Sequence, residues 1–236
     1  WTMMKSSFHW LAAFFLGGLG VRNPKSLLDN QPLRELLERN INFDHIGRSI
    51  KKGYINALAI TASAYSSSRS VTFFEGAESL ASWDRVRRTG KPSKLGVEHL
   101  MASSAVPFVF PPVMIGGEYF GDGAMRHRTP LSSAIRLGAD RMLVIGVRDE
   151  LLDPEPDAAT PADSPSLGHL AGYILDTLFM DGLSTDLEQL NQINRMLECL
   201  DQDSHSPEVQ FRPLSTLVIL PKKDLREVAA RHVQEL

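Results

Sequence analysis

The sequence predicts an α/β fold, and two observations carry that prediction. Two apolar runs that contain β-branched residues, 55–65 and 141–147, are typical of buried strands. A helical segment begins at Pro130 and is closed by Gly138, directly before the second run. This order is the helix-to-strand half of a β-α-β unit. We therefore expect residues 141–147 to pair in parallel with a neighbouring strand.

The length of 236 residues suits one domain with a sizeable core. We expect a single domain over residues 1–236, with its core at about 20–148. Residues 149–166 are rich in Asp, Pro, Ala and Ser, which indicates a flexible loop. Residues 167–236 are expected to supply C-terminal helices and a last strand.

The first quarter of the chain predicts two helices, followed by a pair of strands. Residues 8–20 are apolar but too short to span a membrane, so we expect a buried helix, with a membrane-contacting helix as the alternative. Pro32 stands before leucines at helical spacing, which predicts a helix that begins near residue 31. The strand at 55–65 and a second arm at 71–75 form the expected pair.

The middle of the chain predicts a loop, a helix and a short strand. Residues 76–96 are polar and interrupted by glycine and proline, which favours a solvated loop. A patch that meets anionic headgroups or a partner is the alternative. The basic residues behind that alternative are Arg85, Arg87, Arg88, Lys91 and Lys94. Residues 97–105 predict a helix that stops before Pro107, and residues 119–120 a short strand.

The C-terminal part predicts helices around one more strand. Leucines and isoleucines follow helical spacing over 167–200, with a break at 182–186. A strand at 214–220 and an amphipathic helix at 221–236 end the sequence. We expect four strands in one sheet with helices on both faces: 55–65, 71–75, 141–147 and 214–220.

Composition excludes several classes of protein. The chain is 43% hydrophobic and 22% charged, as soluble globular proteins are. Its net charge of -3 offers no global attraction to nucleic acid, so no nucleic-acid partner is expected. One cysteine, Cys199, cannot form an intrachain disulfide. The histidines show no pair at metal-ligand spacing and no nucleotide-binding motif occurs, so we expect no metal and no cofactor.

The serine elbow G-x-S-x-G, which presents the nucleophile of many hydrolases, does not occur in the sequence. Two glycine pairs have its spacing, but Tyr119 and Leu170 stand at their centres. Ser103 and Ser104 lie on the helix before Pro107 with no adjacent base, and we interpret them as packing residues. A complete Ser-His-Asp triad within this chain is therefore not expected.

Asp122 is the candidate functional carboxylate, because it lies between two glycines directly after a short strand. Small neighbours leave such a side chain open to a ligand. The end of a strand in an α/β sheet is also where active sites form. Gly-Asp-Gly is equally ordinary turn chemistry, so the tripeptide alone favours a turn.

The residues around this tripeptide form a longer pattern. Its parts are A-S-S-A-V-P at 102–107, F-P-P at 110–112, D-G-A at 122–124, Pro130, and L-G-A-D at 137–140. At these spacings the sequence resembles the second half of the catalytic domain of the patatin-like phospholipases. Weaker similarity extends upstream to residues 27–33, and downstream to residues 179–183 and 221–229.

The resemblance implies a three-layer α/β/α fold with a mainly parallel sheet. The first residue is Trp1 and not Met, and the family's oxyanion loop and serine elbow have no counterpart in the sequence. We therefore expect the chain to be the C-terminal portion of such a domain. A sheet without its upstream strands should show an unpaired edge or an apolar face open to solvent.

The resemblance also implies a lipid acyl hydrolase with a Ser-Asp dyad. In that family the serine attacks the ester carbonyl, and the aspartate of the D-G-A motif is its general base without an intervening histidine. By this correspondence Asp122 is the base, and Gly121, Gly123 and Ala124 complete the motif. Because the nucleophile and the oxyanion donors are missing, we expect the chain alone to be inactive.

The aromatic, proline-rich segment 107–113 is the candidate wall of the site. We expect Asp122 in a concave pocket lined by residues 102–113, where burial among aromatic side chains raises its pKa. Those side chains include Phe108, Phe110 and Phe120. Pro107, Phe108 and Phe110 are the candidate contacts for an acyl chain, with plain core packing as the alternative.

Arg126, His127 and Arg128 follow the D-G-A motif and form a basic cluster beside Asp122. A solvated face and a contact with a phosphate headgroup are its two interpretations.

The sequence therefore predicts a phospholipase A-like or esterase-like hydrolase. The alternative is a non-catalytic patatin-like chain that binds a lipid or a protein partner. The expected partner is a lipid or acyl ester, with peripheral contact with a membrane as a further option. We expect a cytoplasmic location, with attachment to the membrane surface as the variant.

Overall fold

The computed structural model describes residues 26–126, 130–146, 170, 172–173, 183–199 and 213–221. The chain divides into two compact units, Trp1–His127 and Arg128–Leu236. The helix expected over 8–20 and the loop over 149–166 lie outside the described residues, as does the helix over 221–236 from residue 222 on. Whether the whole chain acts as one domain stays a prediction.

The described part of the first unit contains three α-helices and six strands. The helices are α1 (Gln31–Asn40), α2 (Asp44–Lys51) and α3 (Val97–Ser103). The strands are β1 (Ala57–Ala64), β2 (Ser70–Gly76), β3 (Trp83–Arg85), β4 (Arg88–Pro92), β5 (Val113–Ile115) and β6 (Glu118–Asp122). The predicted start of α1 is confirmed: Pro32 lies in its first turn, and the Gln31 N–H donates to the Asp29 carboxylate over 3.0 Å.

The six strands form one mixed sheet in the order β3-β4-β2-β1-β6-β5. The pairings β1–β2, β1–β6, β3–β4 and β5–β6 are antiparallel, whereas β2–β4 is parallel. The expectation of a mainly parallel sheet is therefore wrong for this unit. Two tight connections, the turn between β1 and β2 and the glycine turn between β5 and β6, permit antiparallel neighbours.

The core of the first unit lies on one face of this sheet. Alternate residues of β1, namely Ile60, Ala62 and Ala64, are buried there because side chains of a strand point to opposite faces in turn. The rings of Phe73 and Phe120 meet edge to face with centroids 5.2 Å apart. Helix α3 contributes Ala102, and Ile46 of α2 packs against the same cluster. The core therefore ends next to the last residues of β6.

The solvated loop expected over 76–96 is wrong in part, because β3 and β4 lie within it. Gly90 is the reason that β4 can form there: a Cβ at this position would collide with the Trp83 ring. That ring stacks on Phe74 of β2, with centroids 5.3 Å apart. The polar composition of this segment concealed a three-residue strand whose one aromatic side chain packs on Phe74.

The second unit contains helices α4 (Leu131–Arg136) and α5 (Leu183–Cys199) and strands β7 (Arg141–Ile145) and β8 (Ser215–Ile219). As predicted, the run that follows α4 pairs in parallel, with Arg141 opposite Ser215 and Ile145 opposite Ile219. Residues 183–186 are helical in α5, so the break expected at 182–186 does not occur at its described positions; residue 182 lies outside the described part.

Two polar contacts order this second unit. The Asp186 carboxylate accepts the N–H of Leu131 over 2.9 Å at the start of α4. The Asn194 side chain exchanges two hydrogen bonds with the backbone of Leu214, so that α5 fixes the residue before β8.

The β7–β8 pair forms a sheet of its own, so the expectation that four predicted strands share one sheet is wrong. Apolar runs identify strands but do not specify which strand is the neighbour. One face packs on the helices, with Met142 buried against Leu131, Leu183 and Leu190. The other face carries four apolar side chains that are 50 to 71% exposed: Leu143, Ile145, Leu217 and Ile219. An apolar face open to solvent is what the sequence predicted.

No helix in the described part of the chain combines the length and the apolar character that crossing a membrane requires.

Candidate active site

Asp122 is the last residue of β6, so its predicted place at the end of a strand is confirmed. It lies opposite Ala62 of β1 in the antiparallel pair. Its backbone N–H donates to the Ala105 carbonyl over 2.9 Å, just after α3. Strand β6 and the turn after α3 therefore fix the backbone of this residue from two sides.

The Asp122 carboxylate caps the 3₁₀ turn Gly123–Met125 that follows the strand. Its Oδ1 accepts the N–H of Ala124 over 2.9 Å. In the part of the chain that the structure describes, Oδ2 has no hydrogen-bond donor within reach. One oxygen is thus held by the backbone, and no described group donates to the other.

Burial raises the pKa of the Asp122 carboxyl above its usual range, and the hydrogen bond from Ala124 opposes that rise. The predicted direction is therefore correct. Of the aromatic side chains named in the prediction, Phe120 is buried and Phe108 is 61% exposed. Whether Phe108 lies in the wall around Asp122 stays a prediction.

Close packing requires both glycines beside Asp122. A Cβ at Gly123 would collide with the Thr61 carbonyl of β1, so this glycine lets two backbones approach. A Cβ at Gly121 would collide with the ring of Tyr65. Whether small neighbours leave the carboxylate open to a ligand stays a prediction; Ala124 of the same motif is exposed.

Tyr65 is a site residue that the sequence did not reveal. It follows β1 directly, and its N–H donates to the Tyr119 carbonyl over 3.0 Å. Its ring lies over Gly121, next to the carboxylate. Burial, and to a lesser degree the negative charge of Asp122, raise the pKa of the Tyr65 phenol. The register of β1 against β6 brings the two residues together, and no local motif encodes that register.

The segment 107–113 borders the site but is not plain core. Pro107 and Phe110 are half-buried, whereas Phe108 points largely into solvent at a φ of 65°. Two backbone hydrogen bonds hold this segment from upstream: the N–H of Leu27 donates to Phe108, and that of Leu28 to Val109, over 2.8 and 2.9 Å.

The serines near the motif behave as packing residues. The Ser104 hydroxyl donates to the Leu100 and Met101 carbonyls of α3, and no hydrogen bond joins Ser103 or Ser104 to Asp122 in the described chain. Ser63 lies nearer, with its hydroxyl on the Gly123 carbonyl over 3.3 Å, but it is almost fully buried.

In the described residues, no hydrogen bond joins a histidine to Asp122. His99 is buried on α3, where its Nδ1 accepts the Gly96 N–H over 3.1 Å and its ring meets Phe73 edge to face. Burial lowers its pKa, so it packs as a neutral ring. Of the basic cluster after the motif, Arg126 is exposed, and His127 and Arg128 lie outside the described residues.

Two cavities occur elsewhere in the described chain, and neither includes Asp122. One of about 640 Å³ is lined by residues of α1, α2 and the start of α3, among them Asp44 and His99. Another of about 560 Å³ runs along β7 and includes Leu131 and Leu183. The concave pocket expected around Asp122 stays a prediction. In the residues searched, no group of three or more acidic, cysteine or histidine side chains could hold a metal ion.

One known protein family matches the part of the chain that contains Asp122. Residues 2–135, more than half of the chain, match the family model described as patatin-like phospholipase. This match includes β1, α3, β6 and the D-G-A motif. No curated protein gives a significant match. The chain therefore belongs to the patatin-like phospholipase family.

Proposed function

We propose that this chain supplies the general base of a Ser-Asp lipid acyl hydrolase, and that Asp122 is that base. The observation that carries the proposal is the state of its carboxylate. Oδ1 is fixed by the Ala124 N–H, Oδ2 has no donor in the described chain, and burial raises the pKa. A base with a raised pKa takes a proton from a hydroxyl more readily than an ordinary aspartate does.

The proposed reaction moves one proton in each direction. The serine Oγ attacks the carbonyl carbon of the ester while its proton passes to Asp122. The protonated Asp122 then returns that proton to the departing alcohol oxygen as the tetrahedral intermediate collapses to the acyl-enzyme. Water repeats the cycle on the acyl-enzyme and releases the fatty acid. A fixed Oδ1 keeps Oδ2 in one orientation throughout, which limits the reorganisation that each transfer requires.

The sequence contains no G-x-S-x-G, so the proposal assigns the base to this chain but not the nucleophile. Under this proposal the serine and the oxyanion donors come from outside the 236 residues. The chain alone should therefore leave p-nitrophenyl butyrate and phosphatidylcholine micelles unhydrolysed above background. Reading the encoding gene for a G-x-S-x-G and a glycine-rich loop is the companion observation.

In a protein that carries both serine and base, Asp122→Asn should lower kcat by a factor on the order of 10²–10⁴ or more. The amide keeps the shape and the hydrogen bond from Ala124 but cannot take the serine proton. Asp84→Asn is the matched control, since Asp84 is an exposed aspartate of the same unit that pairs with Arg69. Near-normal turnover by Asp122→Asn would remove Asp122 from the mechanism and leave the non-catalytic, lipid-binding alternative.

A further inference from the structure

Phe108 has a conformation that a bulky residue rarely adopts. In the described chain, two residues other than glycine have a positive φ, Ser68 at 55° and Phe108 at 65°. Ser68 lies in the turn between β1 and β2, where such a conformation is ordinary. Phe108 lies in no hairpin, and its ring is 61% exposed. A strained backbone that presents an apolar ring to solvent indicates a functional demand on that ring.

The strained conformation is fixed by its surroundings. Upstream, the N–H of Leu27 donates to the Phe108 carbonyl over 2.8 Å, and that of Leu28 donates to Val109 over 2.9 Å. Within the loop, the N–H of Phe110 donates to Val106 over 2.9 Å. The ring therefore projects from a well-tied loop. Leu27, itself about half exposed, belongs to the segment tied to it.

The small exposed tip formed by Phe108 and Leu27 fits a lipid surface better than a protein partner. Phe108 and Leu27 are 61% and 44% exposed, and two side chains present far less area than the roughly 800 Å² that a stable protein interface buries on each side. A single projecting ring can enter the boundary between headgroups and acyl chains without a matching surface. Three residues before the ring, the Ala105 carbonyl accepts the Asp122 N–H. Contact at the tip therefore brings the candidate base close to the lipid.

We propose that the Phe108 tip, formed by Phe108 and Leu27, inserts into the surface of a lipid bilayer and anchors the chain there. This inference rests on the proposed function in one respect: insertion would deliver an ester to Asp122. The insertion itself is a binding event that needs no turnover.

Phe108→Gly is the decisive variant. Glycine adopts a positive φ without strain, so this change removes the ring and relaxes the backbone together. We expect the partition of the 236-residue chain onto phosphatidylcholine vesicles to fall about tenfold, as the withdrawal of one phenyl ring predicts. The thermal unfolding temperature should stay equal or rise. Tyr54→Ala is the matched control, because Tyr54 is an aromatic residue of the same unit that is 76% exposed.

Vesicle sedimentation at low and high salt measures both variants beside the unaltered chain. Support requires that Phe108→Gly loses binding, that Tyr54→Ala keeps it, and that salt has little effect, since the contact is apolar. The proposal is overturned if the unaltered chain does not bind, if Phe108→Gly binds equally well, or if it unfolds at a lower temperature. Asp122→Asn should bind vesicles normally, which separates this result from a failure of the proposed chemistry.

Discussion

The two sheets of the molecule differ in how their faces are covered. In the six-stranded sheet, residues 60, 62 and 64 of β1 are buried, and the positions beside Asp122 are so crowded that glycines are required. In the β7–β8 sheet, Met142 is buried on one face, while Leu143 and its neighbours on the other are exposed. Each sheet is apolar enough to form a core, but one is closed near its candidate site and the other is open.

The difference teaches that an apolar strand indicates a sheet whose faces are stable when buried. It does not indicate whether other parts of the chain cover those faces. Parallel strands are normally covered on both faces, and β7 and β8 have the composition for that environment. Closure also has a chemical consequence in the first unit. Only where a sheet is covered can the pKa of a carboxyl such as that of Asp122 be raised by burial.

Among the changes considered for the first unit, a substitution at Gly123 should disrupt its close packing most. Gly123→Ala should destabilise this unit by about 3 kcal/mol or more, because the added methyl meets the Thr61 carbonyl of β1 and a backbone cannot move aside cheaply. Urea unfolding measures the loss. Gly121→Ala meets the flexible end of Tyr65 and should cost less.

Gly172→Ala provides the control for both, since a Cβ there meets nothing within 4 Å. Equal stability of Gly123→Ala and Gly172→Ala would contradict the close approach of β1 and β6.

The openness of the second unit is tested by two adjacent residues of β7. Met142→Ala should cost about 2 kcal/mol, the lower end for a buried side chain, because a two-stranded sheet can relax around the gap. Leu143→Ala should change the free energy of unfolding by less than about 0.5 kcal/mol, since its side chain is already in water. A loss at Leu143 as large as that at Met142 would show that this face is covered in solution.

The smallest effect concerns the charge of Asp122. Because burial raises its pKa in the folded state, the folded chain holds this proton more tightly, and stability falls as pH rises through the window above the ordinary value of about 4. Asp122→Asn should therefore be more stable than the unaltered chain at neutral pH, by less than about 1 kcal/mol because the carboxylate is partly solvated. The gain should vanish below that window.

Asp44→Asn should give the opposite sign. The hydrogen bond and positive charge of Lys94 lower the pKa of Asp44. Ionised Asp44 therefore stabilises the fold at pH values above its ordinary pKa of about 4, and this contribution is lost as pH falls below that value. Thermal unfolding of both variants across acidic and neutral pH measures these changes in stability. A change of the same sign in both variants at neutral pH would contradict the burial of Asp122.

The sequence predicted what is encoded locally. Pro32 predicted the start of α1, and Pro107 predicted the end of α3. The helix closed by Gly138 predicted that β7 has a parallel partner. The D-G-A motif predicted Asp122 at the end of a strand, because the motif and the short strand before it are adjacent in the sequence. Each of these signals lies within a few residues of the feature that it determines.

The remaining features depend on contacts between distant residues. The register that sets Ser63 opposite Gly121 carries the Tyr65 ring onto the site, and no neighbour of Tyr65 in the sequence encodes it. The exposure of Phe108 depends on Leu27, 81 residues upstream, whose N–H ties the loop. Pairing partners are likewise non-local, which is why four predicted strands were assigned to one sheet and form two.

The short outer strands of the six-stranded sheet have a consequence for self-association. Both β3 and β5 are three residues long, and β3 carries Asp84, which pairs with Arg69 over 2.6 Å, and Arg85. A second chain that pairs with either strand gains few backbone hydrogen bonds, and at β3 it also meets charged side chains, so both edges disfavour growth of the sheet. The five-residue strands β7 and β8 have no such protection along 142–145 and 216–219. Aggregation of the purified chain should therefore start in the second unit, and the unit that holds Asp122 should stay monomeric longest.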